Sequence, residues 1–188
     1  MSTFDVNGHL HGDRGRYAPQ HRAEAVADVV LDDGTTIDDV YATLEPAPTY
    51  RVNQYLTLPV GITEADHEEY RYDRCGQLAF VLHERTGWPV FVFADGYDWD
   101  NPPSFPGWVH AGLQTPDDRF LDISGVTDWG PQWDKWVGYV EEEAGEADIE
   151  EVDVNELVRT AGLVVTEDDR AAADRLLHAI GLGRFARP

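Results

Sequence analysis

Three residues have the types and the chain order for nucleophilic chemistry: Cys75, His110 and Asp122. Cys75 is the only cysteine in the 188 residues, so it has no disulfide partner within the chain. Segment 72–89 reads as a helix. Asp73 is placed to cap its start, Leu78, Val81 and Leu82 recur at helical spacing, and Gly87 and then Pro89 stop it. Cys75 falls in the first turn, where unpaired backbone N–H groups and the positive end of the helix dipole favour a thiolate.

Segment 108–124 reads as two short strands joined by a tight turn, with Pro116 at the second turn position and Asp117 and Asp118 after it. Directly opposed residues of an antiparallel pair have a constant sum of residue numbers, and each strand's side chains alternate between faces. A loop at 116–118 pairs Thr115 with Arg119 and makes His110 and Asp122 diagonal neighbours on one face. A loop at 115–117 makes them directly opposite, and a two-residue loop separates them onto opposite faces. On one face, the carboxylate orients the imidazole and the other ring nitrogen is left for the thiol.

With a cysteine at a helix N-terminus, a histidine on a strand and an aspartate on the next strand, residues of about 70–126 resemble the papain-like and transglutaminase-like superfamily of cysteine enzymes. The resemblance implies Cys75 as nucleophile, His110 as general base and acid, and Asp122 as the orienting group. It also implies a cysteine hydrolase or acyl transferase of amidase, deamidase or peptidase type, acting on a peptide, a protein or a small amide. One position departs from the pattern. Papain carries an oxyanion-hole glutamine shortly before its cysteine, and here Glu69 occupies that neighbourhood. Gln54 and Asn53 lie upstream as substitutes, and the backbone N–H of Cys75 is another donor.

Each residue also has an ordinary structural reading. A lone cysteine commonly packs as a small hydrophobe, a strand histidine is often only hydrogen-bonded, and an aspartate after a turn satisfies backbone donors. The alternative function is therefore a non-enzymatic acidic interaction protein on an inactive papain-like frame, an inhibitor or a nucleic-acid-mimicking decoy. A salt-adapted structural protein is a third reading.

Composition narrows the classes. With 42% hydrophobic residues, including six Trp, eight Tyr and seven Phe, the chain has the material for one well-filled core. Against 36 acidic residues stand 14 basic ones, a formal net charge of −22, and Lys135 is the only lysine. Such a field repels phosphates and anionic lipid, so direct nucleic-acid binding and membrane association are not expected, whereas a protein partner on the acidic surface is. An acidic rim also biases the expected substrate toward cationic or neutral molecules. No apolar run reaches membrane-spanning length and the N-terminus has no basic-then-apolar leader, so the expected location is cytoplasmic.

The remaining segments organise around these residues. Residues 1–24 read as a flexible tail and 25–188 as a single domain. Segment 26–31 reads as a strand, Ile37, Val40, Tyr41 and Leu44 as one helical face, and 50–58 as a strand. Thr63 with Asp66 marks a short helix reaching about Tyr70. His67, Glu68 and Glu69 on that helix read as surface charge, since their spacing does not place two metal ligands one turn apart. Segment 89–94 is a continuous apolar strand leading into 95–107, an acidic, Pro-rich loop that reads as a lid. Trp99, Phe105 and Trp108 would supply its apolar wall, and with Gln54 they are the expected substrate contacts. Its Asp98, Asp100 and Asn101 lack calcium-loop spacing, and His9, His11 and His21 lie in a polar tail. No metal or cofactor is expected. Pro131 starts a helix bearing Trp133, Trp136, Val137 and Val140 as an apolar stripe. Segments 153–161 and 166–180 are two further helices, the second bounded by Thr166 with Asp169 and by Gly181. The expected fold is α+β: the cysteine helix packed on an antiparallel sheet, followed by a helical C-terminal segment.

Overall fold

The continuous apolar run at 90–94 is explained by its position inside a sheet, where Val90, Phe91, Val92 and Phe93 are all buried on one face or the other. In the computed structural model, which describes residues 3–4, 10–11, 30–31, 33–54, 56–94, 108–143 and 148–186, this run is strand β5. Trp99, Phe105 and the rest of the 95–107 loop lie outside the described residues. So do most of the 1–24 tail and the greater part of the 26–31 strand.

In chain order the elements are β1 (Thr3–Phe4), β2 (Leu10–His11), α1 (Ile37–Tyr41), β3 (Thr49–Arg51), β4 (Thr57–Pro59), α2 (Glu64–Tyr72) and α3 (Cys75–Thr86). Then come β5 (Val90–Ala94), β6 (Trp108–Gln114), β7 (Phe120–Asp122), β8 (Gly125–Thr127), α4 (Trp129–Glu143), β9 (Asp148–Val152), α5 (Val154–Ala161) and α6 (Glu167–Ala179). A 3₁₀ turn at Gly183–Phe185 follows. The main sheet has the order β8-β7-β6-β5-β9 and every pairing in it is antiparallel. The fold is α+β with a helical C-terminal segment, and β1–β2 and β3–β4 form separate two-stranded pairs.

The sheet's two faces are covered differently. On one, Val92, Ala111, Leu113 and Leu121 pack with Leu78 and Leu82 of α3 and Leu176 and Leu177 of α6. On the other, Phe91, Phe93, Phe120 and Ile149 pack with Trp129 and Trp136 of α4. Helix α6 is tied to α3 by buried Arg85, whose Nε donates to Asp174 at 3.0 Å.

Several expected elements differ in detail. Segment 50–58 is not one strand but a hairpin, β3 and β4, with Tyr50 opposite Leu58. Its alternation reflects two strands that share a period of two. Asp73 does not cap the cysteine helix. It is the C-cap of α2, and Arg74 takes the N-cap position of α3 without a side-chain cap. Helix α4 starts at Trp129, two residues before Pro131. Strand β9 lies in what reads as an acidic run, because Ile149 alone of its core supports a buried position. Its flanking carboxylates suit an edge strand that must not pair with another chain. The capping boxes Thr63 with Asp66 and Thr166 with Asp169 form as expected, and Gly87 ends α3 in the left-handed conformation at φ 72°.

Candidate functional site

The site begins at the uncapped start of α3. Arg74 cannot supply a capping oxygen, so among the described residues no N-cap side chain accepts from the first-turn N–H groups around Cys75. Its guanidinium instead anchors the helix start: Nε donates to Asp169 Oδ1 at 2.7 Å and Nη2 to Oδ2 at 2.6 Å. The same carboxylate accepts from Thr166 N at 2.6 Å, so one buried group both caps α6 and holds the cysteine helix in place. Beside Cys75, a Cβ on Gly76 would lie 2.8 Å from Trp108 Cη2 and 3.2 Å from Leu163 Cδ1. The Trp108 ring therefore rests on the first turn, which only glycine permits at this approach.

Trp108 reaches that place through a β-bulge. Phe93 pairs with His110 but Ala94 pairs with Trp108, leaving Val109 as the extra residue. Unbulged alternation would put Trp108 on the face of His110. With the bulge, Val109 packs in the aromatic layer and Trp108 against the aliphatic one.

The β6–β7 turn selects the register. Leu113 pairs with Leu121 and Gln114 with Phe120, which makes 116–118 the loop. Asp118 N donates to Thr115 O at 2.9 Å, and Asp118 takes φ 63°, a left-handed position that Asp tolerates. His110 and Asp122 are consequently diagonal neighbours on one face, and His110 Nε2 meets Asp122 Oδ2 at 3.0 Å. Ser124 N donates to Asp122 Oδ1 at 2.8 Å, which fixes the carboxylate. His110 is 0% exposed, Asp122 2% and Cys75 4%. Trp136 stacks on the imidazole with centroids 4.3 Å apart and an interplanar angle of 14°. Gln132 holds that ring by accepting from Trp136 Nε1 at 3.2 Å.

The second imidazole nitrogen, Nδ1, is buried and makes no hydrogen bond. Cys75 is near enough to act on the imidazole's charge, although the thiol is not in hydrogen-bond geometry with Nδ1. Burial pushes the His110 pKa down, but the Asp122 hydrogen bond and the proximity of Cys75 outweigh it and leave it above the ordinary value. For Asp122, burial pushes up, and the His110 hydrogen bond and charge, with Lys135 and the Ser124 N–H, hold it below the usual carboxylate range. An imidazole oriented by a carboxylate with its free nitrogen toward a thiol can accept the thiol's proton and stay charged.

Around this group the structure adds residues that the sequence pattern does not single out. His67 of α2 is not surface charge but 5% exposed. Burial, then the nearby Arg71, push its pKa down to about 4, so it is neutral and its Nε2 faces Arg71 Nη1 at 3.4 Å. Lys135 is pushed down to about 8 by burial, against the attraction of Asp122. Its Nζ lies 4.6 Å from the Trp136 ring centroid and the Arg71 Cζ 5.6 Å. The i, i+4 spacing of His67 and Arg71, and the placement of the only lysine beside Trp136, are the local signals that could have drawn attention to them.

Of the expected substrate contacts, Trp108 is at the site. Gln54 is exposed in the β3–β4 turn and makes no hydrogen bond to the Cys75 group, and Glu69 is exposed on α2. Among the described residues no group of three or more His, Cys, Asp or Glu is placed to hold a metal ion, and no helix is long and apolar enough to cross a membrane. No family model matches the chain, and neither a curated protein nor a solved structure matches it.

Proposed function

We propose that this chain is a thiol-dependent hydrolase or acyl transferase acting on an amide or thioester, with Cys75 as nucleophile, His110 as base and acid and Asp122 as its orienting partner. The observation that supports this reading is the buried His110–Asp122 pair, with Nδ1 unpartnered and the only thiol of the chain close enough to act on the imidazole. Nδ1 takes the proton from Sγ, and Sγ attacks the carbonyl carbon to give a tetrahedral oxyanion. The Cys75 backbone N–H, at an uncapped helix start, is a preorganised donor for that oxygen. Collapse expels the amine or thiol, which takes the proton from His110 and leaves an acyl thioester on Cys75. Water or an acceptor amine then loses a proton to Nδ1 and displaces Sγ, which recovers it.

The burial of Cys75 favours a second reading: an inactive frame in which the thiol packs as a small hydrophobe and the acidic surface binds a protein partner. Alkylation separates the two, since intact mass after iodoacetamide reports Cys75 alone. At pH about 6 a free thiol is under about 1% ionised. The enzyme reading expects Cys75 in the native protein to react faster than a small thiol, at least tenfold slower in His110→Ala on the order of general-base effects, and only mildly slower in Asp122→Asn. A Cys75 that reacts only when the protein unfolds would establish the inactive frame instead.

A further inference from the structure

In a molecule with this excess of carboxylates a cation without one is unexpected, and two such cations meet beside Trp136. Arg74, Arg85, Arg119, Arg170, Arg175 and Arg184 each have a carboxylate within ion-pair distance. Among the described residues Arg71 and Lys135 have none, although both are half-buried. Arg51 also lacks one, but it is exposed to water.

Two like charges held near each other and partly out of water oppose each other unless an anion joins them. The carboxylate that acts on Lys135 is Asp122, and its two oxygens are occupied by His110 and Ser124. Arg71 Nε is buried with no acceptor, and Nη1 has only the neutral His67 at 3.4 Å. A guanidinium fork with an open donor beside an ammonium group is the donor set for an oxyanion. Trp136 places it against the site, because the ring that carries both cations is the ring stacked on His110.

We infer that Arg71 and Lys135 form an anion subsite for the substrate, which carries a carboxylate or phosphate close to the acyl group that Cys75 attacks. This reverses the expectation from net charge, which favours cationic or neutral substrates: the acidic surface acts at long range, where salt screens it, and the two cations act at contact. The inference rests on the Cys75 reading for the position of the acyl group.

The test compares two reagents that carboxymethylate or carbamidomethylate the same atom. With iodoacetate or iodoacetamide the Cys75 sulfur forms a bond to carbon and iodide leaves, so the ratio of the two rates isolates the effect of the reagent's carboxylate. Relative to a small thiol measured alongside, the iodoacetate to iodoacetamide ratio at Cys75 is expected to be roughly tenfold higher, the equivalent of one modest contact ion pair. Arg71→Gln and Lys135→Gln should each bring it down. A ratio at or below that of the small thiol, unmoved by either variant, overturns the subsite and leaves the nucleophile reading standing. If Cys75 reacts with neither reagent the nucleophile reading fails, and the subsite is decided by the Nζ resonance of protein labelled with ¹⁵N-lysine, a single signal because there is one lysine. At constant ionic strength, saturable movement with inorganic phosphate or succinate supports the subsite, and the anion that saturates at lower concentration names its source. No movement with either overturns it.

Discussion

The two faces of the five-stranded sheet are built from different side chains. The layer under α3 and α6 is aliphatic and closed, with Leu82, Leu113, Leu176 and Leu177 all at 0% exposure. The layer under α4 is aromatic and mixed, and it places His110, Asp122 and Gln132 among Phe93, Phe120 and Trp136. Aliphatic side chains fill space without needing partners, so the first layer supplies stability wherever its shape is met. Aromatic rings can enclose polar groups while leaving one nitrogen unsatisfied, which costs stability. Cys75 belongs to the aliphatic core by packing and bears on His110 by proximity, so it stands where the two layers meet.

The largest expected effect tests whether the layers are separable. Leu176→Ala should lower stability by about 3 kcal/mol through a cavity in the aliphatic layer, read from urea unfolding. The Cys75 alkylation rate of the folded protein should stay unchanged. A rate that moved with stability would show the two layers to be one unit.

An effect of similar size belongs to the mixed layer and to acid. His67 is held neutral with its pKa pushed down to about 4 from 6.5, so the unfolded chain binds a proton that the folded one refuses. Stability should therefore fall as pH drops from about 6.5 to 4, by up to about 3 kcal/mol. Asp122, held below its ordinary value, contributes stability that is lost only at lower pH, beneath this window. His110, held above its ordinary value, contributes fully below 6.5 and loses that contribution as pH rises through its folded value. His67→Gln should flatten the pH 4 to 6.5 limb of the unfolding midpoint, and an unchanged limb would place the acid sensitivity elsewhere.

The smallest effect sharpens the position of Cys75 itself. Cys75→Ala removes one sulfur at the edge of the aliphatic core and should cost about 1 kcal/mol. A loss comparable to that of Leu176→Ala would assign the thiol to the core and weaken its assignment to chemistry.

Much of the frame around the site is legible in the sequence because it depends on neighbours a few residues apart. The capping boxes at Thr63 and Thr166, the left-handed stop at Gly87 and a tight turn around Pro116 are of this kind, whereas the choice of 116–118 as its loop is made by the structure. The turn matters most, since it puts His110 and Asp122 on one face. Strand β9 is hidden because an edge strand carries few apolar residues, and β3 and β4 merge into one strand because a turn without Gly or Pro leaves the alternation unbroken. Asp73 reads as a cap for α3 because capping residues signal a helix boundary without saying which helix they end.

What the sequence by itself determined, then, is the cysteine at a helix start, the histidine and aspartate across a hairpin, and the segments that carry them: local turn chemistry and side-chain period decide those. Only the tertiary structure decided that His67 is buried and neutral, that Trp136 stacks on His110, that a bulge at Val109 turns Trp108 onto Gly76, and that Arg71 and Lys135 meet beside the site. Burial, stacking and the loss of a carboxylate partner depend on side chains tens of residues away, and a charge written in a sequence carries no sign of whether water or a neighbouring ring will surround it.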